Sequence, residues 1–234
     1  MKRVVTEPIP AVAGSVGIVQ GRYGDAGNLE LAAPAADEGI WVFWFNADPV
    51  EHESGAVQGG WSGGLHVFAG HRVDAARISQ VGAGPNYLEV LALGGHALHR
   101  LYWTPERGFV EAGPIATDVA DVSPVRETAD ELLVDVVDLD GTRYVLAGDK
   151  LRYPFVTWTA RAGTPADGAT PLLPEIRADS LAWCRSTIGG GRIEAVFRRG
   201  TGLVHVHGNP GAWSEPEPIV SRVWLEEGAP VHRR

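Results

Sequence analysis

Val-Gln-Gly-Arg-Tyr-Gly-Asp-Ala-Gly-Asn-Leu-Glu-Leu, from Val19 to Leu31, decides the fold, because the chain repeats it in altered form. Ser-Gln-Val-Gly-Ala-Gly-Pro-Asn-Tyr-Leu-Glu-Val runs from Ser79 to Val90, and Arg-Ser-Thr-Ile-Gly-Gly-Gly-Arg-Ile-Glu-Ala-Val from Arg185 to Val196. Each copy has a short β run, a Gly-rich break, then an apolar-Glu-apolar strand. The unit recurs about every fifty residues, within the range of repeat architectures. Glu30, Glu89 and Glu194 therefore stand at one repeated position.

Working outward, the Glu-bearing strand is followed by Leu98 to Trp103 in the second unit and by Leu203 to His207 in the fourth, with Ile40 to Asn46 their counterpart in the first. All three alternate or run apolar, as strands do. A further strand opens on an aromatic and closes on Pro-Ile in Phe109 to Ile115 and in Trp213 to Ile219, and Trp61 to Phe68 is a looser version. In the third unit Glu131 to Leu139 and Thr142 to Leu146 flank the hairpin turn Asp140-Gly141, and the last strand falls within Leu151 to Ala160. A Pro/Gly/Thr-rich stretch from Ala162 to Pro174 links this unit to the fourth. Four short antiparallel strands per unit define a propeller blade. The chain opens on a piece resembling a last strand, Val4 to Pro10, and finishes on one resembling a first strand, Ser221 to Leu225. Pairing of these two would leave no open sheet edge. The expected fold is all-β: a single-domain β-propeller over residues 1–234, built of four-stranded antiparallel blades. Four to five blades are expected, five favoured, with the ring closed by the N- and C-terminal strands.

Composition agrees. The 30 Gly and 16 Pro suit tight turns, and 44% hydrophobic residues suffice for a buried core. A net charge of −9, with Lys2 and Lys150 the only lysines, leaves no concentrated basic face, so neither nucleic acid nor an anionic membrane is an expected partner. No stretch has the pattern of a signal peptide or the length of a membrane span, so a cytoplasmic location is expected. Cys184, in the apolar run Leu181 to Cys184, reads as a small buried hydrophobe and can form no internal disulfide. Nucleophile-elbow, zinc-protease and P-loop motifs are absent, and Gly189-Gly190-Gly191 joins two strands rather than a strand to a helix, so no cofactor is expected. His205 and His207 share a strand face, with His99 on the equivalent strand, but no acidic ligand motif lies near them in sequence; no metal is expected. The insertion from Ala47 to Gln58, carrying Glu51, His52 and Glu53, reads as a solvated loop of the kind that also carries function.

A carboxylate in mid-strand between two blades must be paired or hydrogen-bonded, or it costs about 2–7 kcal/mol. Arg22 and Arg185, one strand earlier, are the expected partners of Glu30 and Glu194 through a bidentate fork. Gly-Asn-Leu-Glu-Leu, the aromatic-rich strand after it and the Trp-x-x-Pro-Ile-like closing strand resemble the bacterial and fungal propeller lectins. These include the fucose-specific fungal lectins and related lectins of insect pathogens, and the chain length is similar to the five-bladed tachylectin type. The resemblance implies a sugar held between adjacent blades. An Arg and a Glu from one blade would grip its hydroxyls while an aromatic ring stacks on its apolar face. It places such pairs at Arg22 with Glu30 and Arg185 with Glu194, sets Gln80 where Arg would stand beside Glu89, and leaves the third unit without a pair. Trp41, Trp44 and Trp103 are the candidate platforms, although such rings also fill the wedge between blades. The expected partner is a glycan or small molecule, with a homo-oligomer left open. Two alternatives remain: a single-pocket enzyme of small-molecule biosynthesis such as a cyclase, favoured by the divergence between units, and a protein-interaction propeller. In the enzyme reading, a buried Glu or His would act as the general acid.

Overall fold

The computed structural model describes residues 2–49, 57–84, 86–162 and 181–226. The loop with Glu51, His52 and Glu53 and residues 163–174 of the expected linker lie outside them. The first blade comprises β2 (Gly17–Gln20), β3 (Asn28–Pro34), β4 (Ile40–Asn46) and a broken outer strand, β5 (Gly60–Trp61) with β6 (Leu65–Val67). The second comprises β7 (Ala75–Val81), β8 (Tyr87–Gly94), β9 (Ala97–Thr104) and β10 (Gly108–Ala116). The third has β11 (Val119–Val122) and β12 (Arg126–Glu127) beside β13 (Glu131–Asp138), then β14 (Arg143–Asp149) and β15 (Trp158–Ala162). The fourth has β16 (Leu181–Arg185), β17 (Ile193–Arg199), β18 (Gly202–Asn209), β19 (Ala212–Trp213) and β20 (Glu217–Pro218). Within each blade every strand pairing is antiparallel, and β6, β12 and β20 pair with β4, β13 and β18 in turn.

Four sheets thus occur among the described residues, the lower end of the expected four to five. The two terminal pieces, β1 (Lys2–Pro8) and β21 (Val220–Glu226), pair antiparallel with each other, as expected, setting Lys2 opposite Glu226 and Pro8 opposite Val220. They form no blade of their own. β21 lies beside β5, with Ser221 opposite Trp61, and so lengthens the first sheet. The two-residue β5 leaves the first blade with exposed backbone groups at its outer edge, and β21 covers them.

Apolar clusters bind neighbouring blades face to face. Val196 and Leu203 of the fourth pack on Leu29, Leu31 and Phe43 of the first. Ala32 and Val42 of the first meet Ile78, Val90 and Leu101 of the second. Leu91 and Leu98 of the second meet Val134 and Leu146 of the third. β3 is buried along its whole length because both its faces are covered in this way. Successive side chains point to opposite faces, so Leu29 and Leu31 serve the fourth blade while Ala32 serves the second. The first strands of all four blades border one cavity of about 560 Å³. Arg77 ties two of them there and the segment that leads into β2, reaching Val122 O at 2.9 Å and Ser15 Oγ at 3.1 Å from its own place on β7.

Candidate ligand pocket between the first two blades

The alternation that sends Leu29 and Leu31 toward the fourth blade sends Asn28 and Glu30 toward the second. Glu30 lies opposite Trp44 on β4, and Val42 shares that face two residues earlier. These four side chains meet Leu88, Trp103 and Phe109 of the second blade around a cavity of about 460 Å³, with Arg22 and Tyr23 also on its wall. That volume lies in the range of small-ligand sites. Glu30 is only 5% exposed, and its carboxylate accepts a hydrogen bond from the Asn28 amide. Burial pushes its pKa from 4.5 up to about 8, with the Asn28 contact pulling the other way. At neutral pH this carboxyl holds its proton, and so can donate through O–H and accept through its carbonyl oxygen. Asn86, in the Gly-rich break of the second unit, adds a buried Oδ1 with no hydrogen-bond partner among the described residues.

The other two repeated carboxylates meet different company. Glu89 is fully buried and takes a two-pronged contact from Arg100, Nε to Oε1 at 2.5 Å and Nη2 to Oε2 at 3.0 Å. Burial pushes Glu89 up to about 7 against the pull of that guanidinium. The third blade closes over the pair: Arg100 Nη1 donates to Pro154 O at 2.8 Å and Tyr153 Oη to Leu88 O at 2.7 Å. Glu194 binds Arg192 Nε at 2.7 Å and His205 Nε2 at 2.8 Å. Burial works to raise its pKa, but the contacts with His205 and Arg192 outweigh it and hold the carboxyl below its ordinary value.

Of the residues expected in a site, Arg22, Glu30, Trp44 and Trp103 come together in one pocket, and the rest do not. The expected Arg22–Glu30 ion pair is absent among the described residues. Arg22 is exposed, and its backbone N–H donates to Gln80 Oε1 at 3.1 Å. Gln80 also donates to Tyr87 O at 2.9 Å, a tie across the second unit's Gly-rich break that also holds the two blades together. The expected Arg185–Glu194 pair is also absent. Register sets Cys184, not Arg185, opposite Glu194, which turns the exposed Arg185 side chain to the other face of the sheet. Trp41 and Trp44 lie three residues apart on one strand and so face opposite ways. Trp41 packs in the cluster with the fourth blade, 4.6 Å from the His66 ring between centroids. Cys184 fits its reading as a small apolar residue, since burial pushes its thiol up to about 12.

Arg100 and His205 went unrecognised as carboxylate partners, although each follows its Glu at the same spacing in the sequence. Both sit two residues before the cross-strand neighbour of that Glu, Tyr102 in one case and His207 in the other. The same place in the first blade, two before Trp44, holds Val42. An apolar side chain there leaves Glu30 with neither cation nor imidazole, and its high pKa follows.

No helix among the described residues is long and apolar enough to cross a membrane. No model of a known protein family matches the chain, and no curated protein matches its sequence. Among solved structures, it is similar to a mutant of Aleuria aurantia lectin in complex with Fucα1-6GlcNAc, at 12% identity and a TM-score of 0.44, over 88% of this chain and 62% of that one. It is similar as well to the lectin SapL1 in complex with alpha methyl fucoside, at 16% identity and a TM-score of 0.42, over 91% of this chain and 64% of that one. The chain thus spans less than two thirds of the length of either lectin.

Proposed function

We propose that the pocket between the first and second blades binds a neutral carbohydrate, which makes the protein a lectin-like binding module. The observation that carries this reading is the meeting of a partly unsatisfied polar set with an aromatic wall. Glu30 opens onto the same cavity as Trp44, Trp103 and Phe109, with Asn86 on its wall and the unpartnered Asn86 Oδ1 buried beneath it. A sugar presents hydroxyls on its edges and C–H groups on its faces, and so answers both. A protonated Glu30 favours a neutral polyol over an anion or a cation, because it can donate to one hydroxyl while accepting from another.

The test is a glycan array followed by isothermal titration, with methyl glycosides, alpha methyl fucoside among them, as probes. Binding is expected. Trp103→Ala should weaken it roughly tenfold, since an aromatic contact is worth about 0.5–1.5 kcal/mol beyond its buried area. Arg185→Ala, which removes a side chain remote from the pocket, should leave affinity unchanged. A protein that binds no glycan, or binds equally well after Trp103→Ala, sinks the proposal.

A further inference from the structure

The interface between the fourth and first blades carries a different chemistry. Glu194 on β17 lies opposite His207 on β18, and His205 precedes His207 by two, so all three side chains emerge on one sheet face. That face meets the first blade, where the His205 ring stands 5.6 Å from Trp61 and 6.2 Å from Phe45 between centroids. One ligand atom from each of Glu194, His205 and His207 lies within 4.8 Å of the others.

We propose that Glu194, His205 and His207 bind a divalent transition-metal ion of the zinc type. Two imidazole nitrogens and a carboxylate oxygen form a donor set that Zn²⁺ and its neighbours accept, with a fourth position left for water. Donors around a tetrahedral ion with bonds of about 2.0–2.1 Å stand roughly 3.3 Å apart. The His205–Glu194 contact of 2.8 Å therefore has to open by only about half an ångström for an ion to replace it. Arg192 holds Oε1 of the carboxylate, and so leaves Oε2 directed at the imidazoles. Orienting contacts of this kind accompany ligating carboxylates. Glu194 and His205 are buried, while His207 is partly exposed and gives the ion its way in. Glu217, exposed on β20 and register-paired with His205, adds negative charge on the same face.

Among the described residues, the equivalent places in the first two blades lack these means. Arg100 occupies the place of His205 in the second blade and, always protonated, offers no lone pair to a metal, and Val42 in the first offers no donor.

The experiment uses the full chain after dialysis against a chelator. Titration with Co²⁺, followed by its visible absorption, should show one equivalent bound, and Zn²⁺ should displace it. His207→Gln, chosen because its side chain sits at the edge, should lower the affinity roughly tenfold or more while circular dichroism stays unchanged. Arg192→Gln should lower it by up to about tenfold without abolishing it, as fits a positioning residue. Failure to bind Co²⁺ stoichiometrically, or an affinity indifferent to His207→Gln, overturns the assignment.

Discussion

Replacing Glu30 with Gln removes one titrating group while keeping its shape and its ability to accept from the Asn28 amide. The folded pKa of about 8 lies above the ordinary 4.5, so the folded protein holds a proton that the unfolded chain gives up across that window. The contribution of this carboxyl to stability is therefore full below about pH 4.5 and is lost as pH rises toward 8. The climb from 4.5 to about 8, at about 1.36 kcal/mol for each pH unit, comes to roughly 5 kcal/mol. Because the side chain is 5% exposed, little solvent screening reduces that figure. Urea denaturation of both proteins from about pH 4.5 to about pH 9 measures it, and the difference between the two curves cancels every other group. The curves should meet at the acid end, and the Gln variant should be more stable by several kcal/mol at the alkaline end. Parallel curves would refute the reasoning, because they would mean that Glu30 ionises in the folded protein as easily as in water.

Arg100→Leu leaves the fully buried Glu89 without its cation and should cost about 3–5 kcal/mol by denaturation, part of which Glu89→Gln in the same chain should restore. Gly17→Ala puts a methyl group 2.9 Å from Arg77 Cα and equally close to Ile78 N, so the inner strands of the first two blades must separate. A loss of about 1–3 kcal/mol is expected, seen as a lower Tm in calorimetry, and an unchanged Tm would contradict so close an approach.

The repeat was legible because its signal is redundant: the Gly-rich break and the apolar-Glu-apolar strand each recur, and the terminal pairing follows from the fragments at the two ends. What answers each Glu was not legible from proximity along the chain. Arg22 and Arg185 stand close before their carboxylates, but in a sheet the partner is set by register and by side-chain alternation. Arg100 and His205 reach their Glu diagonally from the strand that follows, and only the equal spacing in two units could have revealed them. Alternation applied strictly to β4 would have separated Trp41 from Trp44. Asn86 carried no such signal. It is a turn residue with φ of 49°, and its place on the pocket wall depends on the neighbouring blade that lines the cavity with it. The cluster of Glu194 with His205 and His207 was not legible for the same reason, since the acid comes from an adjacent strand.

The terminal ribbon has a mechanical consequence. Lys2 and Glu226 sit together at one end of it, so a pulling force applied to these two residues acts across the strands rather than along them. The hydrogen bonds of an antiparallel pair run perpendicular to the strands, and under this load they break singly, in order, as a zip opens. The first rupture in a force-extension trace should accordingly be weak, and it would free β1 from β21 while the blades still held.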